Sequence, residues 1–224
     1  MRLLGGFTLS DARSGTVVLP ATAQRVLAYL ALERRPVKRT SLAARVWPAG
    51  TDSNAQSCLR SAIWRIRSSG LSLAIVNRLE IELAESVYVD VTQQVRVATR
   101  RLETPEVDPI PGERLLLQDD LLPDWYDDWV SLERARLRQL RLHALEALSR
   151  ALSLRNRHGE SVEAAYVAVA ADPLRESAQR ALIAAFLAEG NRADASRQYV
   201  AYRELARRRL GADVSPELRA LIES

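Results

Sequence analysis

The sequence predicts a mainly α protein in which an N-terminal winged helix-turn-helix, with short β-strands and a β-hairpin wing, precedes an all-α tetratricopeptide-like region. Three observations carry this prediction. Within the first ninety residues, short β-branched runs, three helical segments and an alternating pair of runs follow one another in the order of a winged helix. The second half repeats itself at a spacing of 34 residues, the tetratricopeptide period. The charge is unevenly divided: residues 20–79 hold ten basic residues against the two acids Glu33 and Asp52, whereas residues 91–224 hold twenty basic and twenty-one acidic residues.

Leu3 to Leu19 mix apolar and turn residues, with Gly5-Gly6 and Ser14-Gly15 as breakers, and read as two or three short strands. After Pro20, Val26, Leu27, Leu30 and Ala31 fall at helical spacing and predict a first helix over about 21–34, with Thr22 as its N-cap. A short second helix starts from Thr40 or Ser41 as cap, runs through Leu42, Ala43, Val46 and Trp47, and stops at Pro48. Trp47 is expected to anchor it.

A third helix is expected over 52–69, capped by Asp52 or Ser53 and ended by Gly70. Its two faces differ. Ala55, Leu59, Ala62, Ile63 and Ile66 share one side at 100° per residue, while Ser53, Asn54, Ser57, Arg60, Ser61, Trp64 and Arg65 point away, and Arg67 follows. Leu71 to Leu83 then read as a hairpin turning on Asn77-Arg78.

A helix of this width fits the DNA major groove, where base edges carry a readable donor and acceptor code. Asn54, Ser57, Arg60, Ser61, Trp64, Arg65 and Arg67 are therefore the candidate DNA-reading residues. Lys38, Arg39 and Thr40 at the start of the second helix, with Asn77 and Arg78 on the hairpin, are the candidate backbone or wing contacts. The outward tryptophan favours a partner, or packing against the first helix, over a merely solvated face, because exposed apolar surface is costly.

Asp90 begins another expected helix (DVTQQVRVATRRLE), after which Pro105, Pro109, Pro111 and Gly112 interrupt regular structure. The next segment, LLLQDDLLPDW, mixes acidic and apolar residues in a pattern that fits no single element. From about Asp124 the chain reads as nearly continuous helix. A shift of 34 superposes Ala144 on Ala178, Ala147 on Ala181, Leu148 on Leu182, Ala151 on Ala185, Leu152 on Phe186 and Asn156 on Gly190. Second helices of each pair are expected near 160–171 and 192–209, with Ala165, Ala195 and Tyr202 on packing faces and Asp172-Pro173 as the break between pairs. The boundary between the two domains is set at 90/91.

Several function classes are disfavoured. Cys58 is the single cysteine, so neither an intrachain disulfide nor a thiolate metal site forms. His143 and His158 stand in no metal-ligand spacing, and the pairs Asp119-Asp120 and Asp127-Asp128 lack a basic neighbour in sequence and read as solvated acids. No phosphate-cradling GxxxxGK[ST] loop occurs. No enzyme activity and no cofactor are expected. The N-terminus lacks the long apolar stretch of a secretory signal, which predicts a cytoplasmic protein without membrane contact.

The stretches QRVLAYLAL, LAARVWP, CLRSAIWRIR, RLRQLRLHALEAL, DPLRESAQRALI and LGADVSPELRAL together resemble the Streptomyces antibiotic regulatory protein family. Members of that family join an OmpR-type winged helix to a bacterial transcriptional activation domain. The resemblance implies a sequence-specific DNA-binding activator that sits upstream of promoters and contacts RNA polymerase; a homodimer is a separate allowed partner, not one the resemblance supplies. It places DNA contacts on Asn54 to Arg67 and around Arg78. The chain departs from the family in a hairpin turn without glycine and in Asn156, where glycine is usual. The competing reading is a tetratricopeptide-like adaptor with weak or lost DNA binding.

Overall fold

The computed structural model describes residues 1–12 and 15–223, so Ser14, read above as a breaker, lies outside the described residues. The elements run β1 (Leu9–Asp11), β2 (Gly15–Val17), α1 (Ala21–Glu33), β3 (Val37–Lys38), α2 (Arg39–Val46), α3 (Asp52–Ser68), β4 (Ala74–Val76), β5 (Glu80–Leu83), α4 (Asp90–Glu103), α5 (Glu113–Leu116), α6 (Asp128–Ser153), α7 (His158–Ala171), α8 (Glu176–Glu189), α9 (Arg192–Leu210) and α10 (Pro216–Glu223). They form two units, residues 1–93 with 120–137 and residues 94–119 with 138–224.

The first unit is the winged helix. β1 pairs antiparallel with β2, and β3-β5-β4 form a second antiparallel sheet. Leu27 and Leu30 of α1, Leu42 of α2, Leu59 and Ile66 of α3, and Ile81 of β5 are buried together as its core. Three expected caps are corrected. α1 begins after Pro20, whose fixed φ suits a helix start, and Thr22 lies inside the first turn. α2 begins at Arg39 and not after Thr40 or Ser41, because Val37 and Lys38 form a two-residue strand opposite Ile81 and Glu80 that feeds straight into the helix. α3 is capped by Thr51, whose side chain accepts the backbone N–H of Asn54 at 3.3 Å, one residue ahead of Asp52. Asp52 then lies in the first turn, where its charge complements the helix dipole.

β4 and β5 form the wing, with Ala74 opposite Leu83 and Val76 opposite Ile81. Its turn works without glycine because the Asn77 side chain takes over the hydrogen bonding. Asn77 Oδ1 accepts the N–H groups of Leu79 at 2.9 Å and Glu80 at 2.7 Å.

Residues 120–137 complete this unit. Leu121 bridges to Leu4, and the buried Leu122, at φ +39°, donates its N–H to the Leu3 carbonyl at 2.9 Å. Arg134 holds the turn by donating to the carbonyls of Leu121 and Trp125, both at 2.6 Å, and of Leu122. Trp125 stacks on Phe7 at 6.1 Å, and Trp129 meets the edge of Tyr29 at 5.2 Å. Asp127 forms an ion pair with Arg25, which corrects its reading as a solvated acid. The partner lies 102 residues away and has no local signature.

The second unit stacks helix pairs α6–α7 and α8–α9. Ala144 and Ala178, Leu148 and Leu182, Ala151 and Ala185, and Leu152 and Phe186 are buried at matched positions, while Ala147 and Ala181 are both half-buried. α6 and α7 approach closely enough for the buried hydroxyl of Ser161 to meet those of Ser149 at 2.9 Å and Ser153 at 2.7 Å. The proline-rich connection before α5 is organised by a buried charge: Arg101 grips Glu113 with bonds of 2.8 and 2.9 Å and donates to the carbonyls of Pro105 at 3.1 Å and Val107 at 2.8 Å.

Candidate nucleic-acid interface

The amphipathic pattern of α3 sets the geometry of the candidate face. Ala55, Leu59, Ala62, Ile63 and Ile66 are buried, and Asn54, Ser57, Arg60, Ser61, Trp64, Arg65 and Arg67 are all exposed. Trp64 is 59% exposed, and the Arg65 guanidinium lies over its ring at 4.7 Å from the centroid. A cation over an aromatic face is attracted by the ring quadrupole, so each side chain orders the other. Arg60 donates to the Ser57 hydroxyl at 3.1 Å, a bond one turn long that aligns both along the helix. Among the described residues Trp64 pairs with no other aromatic ring.

The second group of candidates meets at one edge. Lys38, Thr40, Asn77 and Arg78 are exposed and Arg39 is half-buried. The Arg39 backbone N–H donates to the Leu79 carbonyl at 2.9 Å, and its side chain reaches the Asn77 carbonyl at 3.5 Å. The start of α2 and the tip of the wing are thereby fastened together, a juxtaposition that their separation by 38 residues conceals. No hydrogen bond or ion pair joins this edge to the α3 face among the described residues.

The basic residues of the candidate interface differ from many other arginines of the chain in having no carboxylate beside them. Lys38, Arg39, Arg60, Arg65, Arg67 and Arg78 have no carboxylate partner among the described residues. In the second unit Arg155 pairs with Asp108, Arg157 with Glu160 and Arg197 with Asp194, and Arg203, Arg207 and Arg219 all lie against Asp213. Uncompensated guanidinium charge is what a polyanion neutralises, whereas paired arginines are already satisfied.

Sequence reasoning missed a cleft of about 710 Å³ beside the first turns of α3, where Asn54 and Cys58 face Arg25, Trp47 and Trp129. Trp47 is half-buried against the core, in keeping with its expected anchoring role. Asn54 therefore borders the cleft as well as the outer face. The indole N–H of Trp129 and Nε of Arg25 are buried there without a partner among the described residues. No local pattern signals this cleft, since its walls come from residues 25–58 and 126–129.

His143 is exposed and His158 half-buried, and no three potential metal ligands cluster among the described residues. No helix among them is long and apolar enough to cross a membrane.

Residues 115–224 match the bacterial transcriptional activator domain family. No curated protein sequence matches the chain. Among solved structures, the chain is similar to Mycobacterium tuberculosis EmbR in complex with a low affinity phosphopeptide, with a TM-score of 0.77 and 21% identity over 99% of this chain. It spans 63% of the length of that EmbR chain. At this identity the likeness is one of fold, and it covers both units.

Proposed function

Through residues 115–224 the chain belongs to the bacterial transcriptional activator domain family, and from that premise we propose that it is a transcription regulator of the Streptomyces antibiotic regulatory type that binds double-stranded DNA. The observation that carries the DNA half of this reading is the outer face of α3, which is exposed, free of carboxylate partners and centred on the Trp64–Arg65 stack. Arg60 and Arg65 offer the planar forks that pair with guanine O6 and N7, Asn54 and Ser57 offer shorter polar contacts, and Trp64 supplies an apolar surface for a thymine methyl or a sugar. Lys38, Arg39, Thr40, Asn77 and Arg78 serve the phosphate backbone on this reading.

The second unit supplies the protein contacts, with RNA polymerase as the partner that an activator requires. Stacked helix pairs present extended surfaces suited to that work.

Fluorescence anisotropy against promoter-region fragments tests the proposal. Selective binding that weakens steeply with salt is expected, and Arg60→Ala should remove most of the selectivity while leaving the melting temperature unchanged. Folded protein that binds all fragments alike would return the chain to the adaptor reading.

A further inference from the structure

α6 and α8 are the first helices of the two stacked pairs, and they face each other across a groove of about 300 Å³. On α6 the groove is lined by Glu146, Ser149, Arg150 and Ser153, spaced i, i+3, i+4 and i+7, so they share one helix face. On α8 it is lined by Ser177, Arg180, Ala181 and Ala184 at the same spacing. Most of these side chains are small, which is why the helices pack at their buried faces and yet leave room here. Leu221 of α10 adds an apolar wall.

The charges in the groove do not balance. The Glu146 carboxylate is already engaged by Arg175 at 2.6 Å and by the Ser177 hydroxyl at 2.8 Å. Arg150 and Arg180 are exposed and have no carboxylate partner among the described residues, unlike the paired arginines named above in the same unit. The groove therefore presents two free guanidinium groups beside an apolar strip, with Ser153 half-buried along its wall.

We propose that this groove binds a short acidic peptide segment, whose carboxylates meet Arg150 and Arg180 while one apolar side chain lies against Ala181, Ala184 and Leu221. The volume, at the low end for ligand pockets, suits the side chains of a few residues in extended form and not a packed helix. A guanidinium pairs with a carboxylate through two parallel hydrogen bonds, which gives the site a preference for acidic over merely polar segments. The inference rests on the second unit being the protein-contacting half, and not on DNA reading by α3.

The test uses the full chain on an array of amidated hexapeptides of randomised composition. Retained peptides are expected to place Asp and Glu around one apolar residue. The tightest of them, fluorescently labelled, should lose affinity by roughly tenfold against the Arg150→Glu/Arg180→Glu variant and when its acids are replaced by amides. It should also weaken as salt rises, because both arginines are exposed. Ala184→Trp fills the groove from an exposed position while keeping both arginines, and it should abolish binding while the thermal melt is unchanged. An array that retains nothing, or that retains neutral or basic peptides equally, overturns the proposal. So does a peptide that binds all variants as it binds the parent. DNA affinity measured on the same samples separates a failed groove from a failed DNA-reading assignment.

Discussion

Asn156 and Gly190 stand 34 positions apart and share the left-handed backbone, at φ 58° and 87°, each at the end of the first helix of its pair. Nothing lies within 4 Å of where a Gly190 Cβ would sit, so the cost of a side chain there is a backbone cost alone. Gly190→Ala should lower stability by about 1 kcal/mol, and Asn156→Ala by a similar amount, because asparagine tolerates this conformation better than alanine. Urea unfolding followed by circular dichroism measures both. Equal stability of Gly190→Ala and the parent would contradict the assignment of the turn.

Arg101 and Glu113 are 3% and 4% exposed and bound through two hydrogen bonds. Removing one partner leaves a buried charge uncompensated, so Glu113→Gln or Arg101→Met should each cost about 3–5 kcal/mol. The double replacement Arg101→Met/Glu113→Leu should recover much of that loss, since neither charge then remains. A double-mutant cycle in urea detects the coupling; losses that simply add would show that the pair does not act as one.

Asp213 accepts the Val214 N–H at 2.9 Å and lies beside Arg207 at 3.0 Å, and these contacts hold its carboxyl at about 2. The folded value lies below the ordinary aspartate value of about 3.9, so the anchoring of the α9–α10 turn is fully present above that value. It is lost as pH falls toward 2. Asp213→Asn should remove this acid dependence from the turn, read by carboxyl and amide NMR shifts over a titration from neutral to acidic pH.

The two groups of candidate DNA residues should behave differently. Arg78→Ala is expected to weaken binding alike on all sequences and to reduce the salt slope by about 1. Trp64→Ala should weaken preferred sites more than others and leave the salt slope nearly unchanged. Anisotropy titrations at several salt concentrations distinguish the two patterns, and a swap of these behaviours would reverse the assignment of reading and backbone roles.

Periodicity exposed what is local. The buried set of α3, the matched pairs of the repeat and the outward Trp64 all follow from 3.6-residue spacing. The elements that escaped it are too short or too distant in sequence. β3 has two residues and owes its existence to β5, so the cap expected at Thr40 or Ser41 was displaced. Residues 120–137 join the first unit through Leu4, Arg25 and Tyr29, contacts across about a hundred positions that no window contains. Arg101 and Glu113 look in sequence like any solvated pair of charges. The candidate face itself was legible, whereas the free state of its arginines emerges only when every carboxylate has been placed.

The joining of Arg39 to the wing tip bears on recognition kinetics and entropy. A hairpin wing is often a loose arm whose backbone must be ordered as it meets a ligand. Here the N–H of Arg39, the Asn77 side chain and the β3–β5 pairing have already arrested that backbone. Only the side chains of Lys38, Arg39 and Arg78 remain to be immobilised, at about 0.5–1.5 kcal/mol each. Whatever polyanion arrives at this edge meets a preformed surface, and its affinity is spared the cost of folding a loop.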